Sequence, residues 1–289
     1  MLKRTITGAI YVAIIVGFFF LRDYADYRLF NILTFAFAAI GTFEVARAIK
    51  PYLYKGNFTL ALIYGAAFVP VFCVFEYLTG IKGAYACLIL AEAAVAYQAI
   101  LTACIKRDDV GAIFKAFAVN VLPFLYPALL LLTMLCANEL NSGFICLLLI
   151  FVISPCADTF AYLVGMTYNK IRKGKAKRMC PNLSPKKTWA GAIGGVIGGI
   201  VGAIVIYFVV DKSAITETAK ISPVIAFILI GGFASVLTEI GDLFESYIKR
   251  KVGIKDMGRI LPGHGGIMDR IDGMSFAAVF VFLTFLLLL

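Results

Sequence analysis

The stretch Met268–Leu289 reads MDRIDGMSFAAVFVFLTFLLLL, and its length decides what it is. Its part free of charged residues and glycine, Met274–Leu289, holds 16 residues, whereas a helix needs about 20 to cross the hydrocarbon core. A crossing helix must therefore begin near Gly266 or Met268, which puts Asp269, Arg270 and Asp272 in its first turns. Asp269 and Asp272, three residues apart, are then neighbours on one face. The helix dipole alone favours carboxylates there. At a membrane interface, the same pair also suits a divalent cation.

The rest of the chain obeys the same solvent. Of 289 residues, 62% are hydrophobic and only 15% charged, with a mean hydropathy of +0.93. That is too apolar for a water-soluble core. The length rule marks nine spans, approximately Thr5–Leu21, Leu29–Ile49, Phe58–Leu78, Gly83–Cys104, Gly111–Leu135, Gly143–Val164, Trp189–Val210, Ile221–Gly241 and Met268–Leu289. The expected fold is an all-α polytopic membrane protein, with about five N-terminal spans in residues 1–140 and a catalytic region in 141–289. Pro123 and Pro127 predict a kink in the fifth span. Span one resembles a secretory signal, but Arg22–Arg28 lacks a small-residue cleavage site, so an uncleaved anchor is expected. Seven scattered cysteines without a Cys-x-x-Cys pair argue against a disulfide framework or a zinc site.

Charge orients the spans. With the N-terminus inside, all 27 Lys and Arg residues except Arg22, Arg28, Lys82, Lys212 and Lys220 fall on the inner side. This bias predicts a cytoplasmic N-terminus and an outer C-terminus, and the membrane expected is a bacterial inner one. The formal net charge of +10 is therefore read as orientation and attraction to anionic lipid headgroups, not as a sign of nucleic acid. The polar connections Gly165–Thr188 and Asp242–Ile267 become cytoplasmic loops. The basic run Arg172–Arg178 is read as a solvated, lipid-facing patch.

Expensive polar residues gather at these inner ends. Asp158 lies near the end of span six. Glu239, Asp242, Ser246 and Lys249 share one helical face below span eight. Leu261-Pro262-Gly263-His264-Gly265-Gly266 runs into the last helix, where glycines and a helix N-terminus make an anion site. Lys249, Arg250, Lys255, Arg259 and Arg270 surround it with cations. Acids for a metal beside cations and glycines for phosphate are the equipment of nucleotidyl or phosphoryl transfer. Ser184, Lys186, Lys187 and Thr188 form a second phosphate-binding kit, although interfacial positive charge would look the same. Gly191, Gly195 and Gly199, with Gly194, Gly198 and Gly202, mark close helix packing within or between subunits. His264 is expected to contact ligand or brace its loop, because an anionic phosphate nucleophile needs no strong base.

Ser246-x-x-Lys249-Arg250, Lys255-Asp256, Leu261–Gly266 and Asp269-Arg270-x-Asp272 together resemble the signature of the phosphatidate cytidylyltransferases, or CDP-diglyceride synthases. Gly241–Ser246, Ser184–Trp189 and Asp158–Tyr162 extend the resemblance over roughly the last 130 residues. It implies a polytopic, often dimeric enzyme that makes CDP-diacylglycerol and pyrophosphate from CTP and phosphatidate. It further implies Mg²⁺, with K⁺ as a further candidate, bound at Asp242 and Asp269, with Asp158 and Asp272 beside them. Lys249 and Arg270 are expected in catalysis. Ser184, Lys186, Lys187, Thr188, Ser246, Arg250, Lys255, Asp256, His264, Gly265 and Gly266 are expected around the substrates. Two positions depart from the pattern. Ala190 stands where the family usually has Glu, and Asn169–Met179 reads as a basic insertion.

The expected reaction is in-line attack of the lipid phosphate on the α-phosphorus of CTP. An anion transporter is the rival of another class, and Glu92 in mid-span is the residue it would explain. Against it, no internal repeat is evident and the acids cluster at one face.

Overall fold

The structure is a computed structural model, and it describes residues 2–105, 110–211, 215 and 220–289. Of the residues used above to orient the chain, Lys106, Arg107 and Lys212 lie outside the described residues. Among those described, nine helical stretches are long and apolar enough to span a membrane. Their starts lie within four residues of the expected ones, and the last begins at Met268, where the length argument placed it.

In chain order the elements are α1 (Leu2–Tyr24), α2 (Phe30–Ile49), α3 (Asn57–Thr79), α4 (Gly83–Ile105), α5 (Val110–Leu125), α6 (Ala128–Asn138) and α7 (Gly143–Ile171). The strands β1 (Arg178–Cys180) and β2 (Ser184–Thr188) follow, then α8 (Trp189–Val209), α9 (Pro223–Lys251) and α10 (Met268–Leu288). The fifth span is not merely kinked. Pro123 lies in the last turn of α5 and Pro127 separates it from α6, as expected of a residue that removes a donor and crowds the preceding turn. Two helices outrun their expected spans: α7 continues to Ile171 and α9 to Lys251. Each supposed loop thus opens with two turns or more of helix. Among the described residues, every named element apart from the antiparallel β1–β2 ribbon is helical.

The chain divides into two compact units, Met1–Leu135 with Ile254–Asp269, and Cys136–Gly253 with Arg270–Leu289. In the first, α2 is buried along most of its length while almost none of α1 is buried. Phe30, Phe37, Phe68 and Phe72 fill the core between α2 and α3. Lipid offers no hydrophobic drive between helices, so packing and polar contacts must hold them. Asn57 supplies such a contact, since its Nδ2 donates to Gln98 Oε1 at 2.9 Å and to Asn120 Oδ1 at 2.7 Å, tying α3 to α4 and α5.

In the second unit, α8 lies between α7 and α9, and its glycines explain why it can. A Cβ on Gly194 or Gly198 would meet Val164 or Phe160 of α7. One on Gly199 would meet Ser235 and Gly231 of α9, and one on Gly195 would approach Glu239. Both glycine rows therefore pack within one chain. Where α9 crosses α10, a Cβ on Gly241 would stand 2.6 Å from the Asp272 carbonyl oxygen, and one on Gly273 would stand 2.6 Å from Thr238 Cγ2. This close crossing brings Asp242 and Asp272 to the same level.

Candidate active site

The sequence-predicted residues fall into two constellations, one in each unit. In the second unit, α7, the ribbon, α8 and α9 enclose a cavity of about 430 Å³. Asp158, Arg178, Lys186, Lys187, Thr188, Glu239 and Asp242 line it, with Gly165 and Gly191 at its wall. The ribbon exists because Arg178 and Cys180 pair with Thr188 and Ser184. It delivers three cations, Arg178, Lys186 and Lys187, to one concavity. Thr188 closes the ribbon and begins α8, its Oγ1 accepting from Gly191 N–H at 3.0 Å. This is ordinary N-capping, and it fixes the backbone that carries Lys187.

Lys187 is the centre of this arrangement. Its Nζ lies 2.8 Å from Asp242 Oδ2 and 3.1 Å from Glu239 Oε2. Burial disfavours its charge, but Asp242 and Glu239 outweigh that effect and raise its pKa above the usual lysine value. Ser246, one helical turn below Asp242, donates from Oγ to Asp242 Oδ1 at 3.4 Å. Asp158 lies within electrostatic reach of Asp242, Asp272 and Glu239. Asp272 lies beside Glu245, and Glu245 holds Lys249 Nζ at 2.6 Å.

Other predicted residues of this unit stand outside the cavity lining. Ser184 begins β2, and Arg250 donates from Nε to Leu183 O at 3.4 Å, fastening the ribbon to α9. Arg270 is exposed. Position 190, in the first turn of α8, is likewise not among the lining residues. The cavity's carboxylates come from α7 and α9 instead.

The donor set of the cavity is compatible with Mg²⁺. Its acids offer oxygen alone, the ligand preferred by a hard cation. Among the described residues, no three His, Cys, Asp or Glu side chains are placed to hold a metal by themselves. A Mg²⁺ ion at Asp242 and Asp158 would thus complete its shell with phosphate oxygens and water, its usual habit at nucleotide sites.

In the first unit, the glycine loop folds as a tight turn. Leu261 N–H donates to Gly265 O, and His264 N–H to Leu261 O, both at 2.9 Å. Gly263 and Gly265 take positive φ of 81° and 85°, conformations costly for any residue with a Cβ. His264 packs against Gly8 of α1, and Lys255 and Asp256 are exposed. Two carboxylates of the protein accept backbone N–H groups at this helix N-terminus. Asp269 accepts Met257 N–H at 3.0 Å and Gly266 N–H at 2.7 Å. Glu44 of α2, 1% exposed, accepts Met268 N–H through Oε2 at 2.8 Å.

Sequence reasoning missed Glu44 and Arg178. Glu44 is an isolated acid in an apolar span, which is by itself a reason to suspect function. Arg178 was absorbed into a basic run, and only strand pairing turns it inward. Glu92 is exposed on α4, outside both constellations.

The model of the cytidylyltransferase family matches residues 2–288. A phosphatidate cytidylyltransferase of Brucella abortus is 36% identical over 141 residues, 49% of this chain and 47% of that protein. One of Rickettsia conorii is 34% identical over 137 residues, 47% of this chain and 56% of that protein. One of Mycobacterium tuberculosis is 40% identical over 157 residues, 54% of this chain and 42% of that protein. The matched stretch thus spans about half the length of these curated relatives.

Proposed function

This chain belongs to the cytidylyltransferase family, and on that premise we propose that it transfers a cytidylyl group from CTP to phosphatidate, forming CDP-diacylglycerol and pyrophosphate. The observation that carries the proposal is the cavity in which Lys187 is shared by Asp242 and Glu239, with Arg178 and Lys186 beside it. Two anionic substrates must be brought together there. The three cations offset their mutual repulsion, and the acids keep the cations from collapsing onto one phosphate group. Arg178, with its fork of donors, suits a triphosphate oxygen pair.

An oxygen of the lipid phosphate attacks the α-phosphorus of CTP. The new P–O bond forms as the bond from the α-phosphorus to the α,β-bridging oxygen breaks, and that oxygen leaves with pyrophosphate. Mg²⁺, held by Asp242 with Asp158, would neutralise the triphosphate and the leaving group, and K⁺ is a further candidate at these acids. Ser246 holds the Asp242 carboxylate in place, and Lys249 is positioned through Glu245. For Asp269, the expected part in metal binding stands beside its part in bracing the glycine loop. The acyl chains stay in the bilayer, so the chemistry is placed at the inner interface of a bacterial cytoplasmic membrane, with the N-terminus on the same side. A homodimer is the proposed assembly.

The test is product formation by purified protein supplied with labelled CTP, phosphatidate and Mg²⁺. A labelled liponucleotide from wild type, lost in Asp242→Asn, is the expected result. Wild type that binds CTP yet forms no liponucleotide would assign another acceptor, and failure to bind CTP would return the anion transporter.

A further inference from the structure

Glu44 belongs to the half of the chain that carries none of the signature residues, and 224 positions separate it from its hydrogen-bond donor. Its carboxylate is nonetheless built into the signature loop. Oε2 accepts Met268 N–H at 2.8 Å, and Ile267 N–H also bonds this carboxylate. A Cβ on Gly258 would run into Oε1, and one on Gly266 would run into both oxygens. Glycine at these two positions is what lets the loop close over Glu44. Oε1 has no hydrogen-bond partner.

The first N–H groups of a helix have no partner within it, and in a membrane protein water is a poor substitute. Here the N–H groups leading into α10, with that of Met257 in the preceding loop, are divided between two carboxylates. Asp269 takes Met257 and Gly266, and Glu44 takes Ile267 and Met268. Asp269 comes from α10 itself, and through Met257 and Gly266 it ties the first residues of that helix only to the loop leading into it. Glu44 comes from α2, the most buried helix of the first five spans together with the fifth, and it ties the same residues to another helix. A carboxylate at this end is also favoured by the helix dipole.

We propose that Glu44 is a positioning residue for the cytidylyl transfer, seating the glycine loop and the start of α10 on α2 and so fixing the place of Asp269. It touches no substrate. The role in catalysis rests on the proposed reaction, but the seating of the loop does not, and the test separates them.

Hydrogen–deuterium exchange of the full-length protein in lipid nanodiscs reads the seating directly. In Glu44→Ala, exchange in peptides covering 255–270 should rise by about tenfold or more, because a charged acceptor of two N–H groups is lost. Peptides of the β1–β2 ribbon and α9 should be unchanged. Glu44→Gln, which keeps the shape and one acceptor oxygen, should fall between the two and carries the test if the alanine variant does not assemble. Turnover should fall in the same order, with KM for CTP held within about threefold while kcat drops. Wild-type exchange over 255–270, or an equal rise throughout the second unit, would overturn the proposal. If wild type makes no liponucleotide, the reaction fails while the exchange result still decides the seating.

Discussion

Lys187 answers to two carboxylates at once, and this makes its replacement informative. Removing the ammonium leaves Glu239, 9% exposed, and Asp242 side by side on one face of α9 without the cation they share. Lys187→Met should therefore lower kcat/KM for CTP by about a hundredfold or more, the scale of losing a positioned charge on a phosphoryl group. Lys187→Arg should recover part of it, because the planar fork reaches both acids but presents its charge differently. Steady-state kinetics check this, and an unimpaired Lys187→Met enzyme would remove the cavity's central cation from the mechanism. The raised pKa of Lys187 has a definite sign in stability. A group whose folded pKa is raised adds stability that is fully present below its unfolded value and lost as pH rises through the folded one. The difference in thermal stability between wild type and Lys187→Met should thus shrink as pH rises above the ordinary lysine range. Asp158, Asp242 and both lysines were legible in the sequence because acids and bases at a membrane boundary are rare enough to be counted. Glu44 was not, because its purpose lies in backbone N–H groups far along the chain, and such donors carry no side-chain signal.

At the level of elements, α8 shows which sequence signals survive folding and which do not. The spacing of its six glycines announced close packing, yet only the structure shows that Gly194, Gly198 and Gly202 face α7 while the row of Gly191, Gly195 and Gly199 passes from α7 to α9. The opposite face carries Ile193, Ile197, Val201 and Val205, all exposed. Gly198→Val should be destabilising by about 1–3 kcal/mol, the usual cost of forcing atoms into a filled contact. Ile197→Val, on the exposed face of the same helix, should change stability by less than about 0.5 kcal/mol. Thermal unfolding in one detergent compares them, and equal effects would deny that α8 packs as described. The β1–β2 ribbon was illegible for a different reason. Ser184-Pro185-Lys186-Lys187-Thr188 has neither apolar alternation nor strong strand formers, so the pairing with Arg178–Cys180 is a tertiary effect. The long ends of α7 and α9 were cut short because the length rule measures the hydrocarbon, not the helix.

For the molecule as a whole, the decisive property is the side on which the cavity opens, and it turns on the number of crossings. Hydropathy counts them well where a span is continuous. It is most exposed to error at the fifth, where prolines leave α5 with 16 residues and α6 with 11. Neither piece reaches the roughly 20 residues needed to cross alone. If together they make one crossing, three spans separate Lys82 from Lys175, and the two positions lie on opposite sides. If instead they enter and return, two true crossings remain and both positions share a side. Both residues are exposed, so single cysteines placed there, in a background without the seven native ones, can report the answer. With the proposed orientation, Lys82→Cys should react with a membrane-impermeant maleimide in intact bacteria, and Lys175→Cys only after permeabilisation. The reverse pattern would keep the count but invert the protein, against a charge bias in which the outer segments hold only five of the 27 basic residues. Labelling of both or neither in intact cells would make the Pro123–Pro127 break a re-entrant turn.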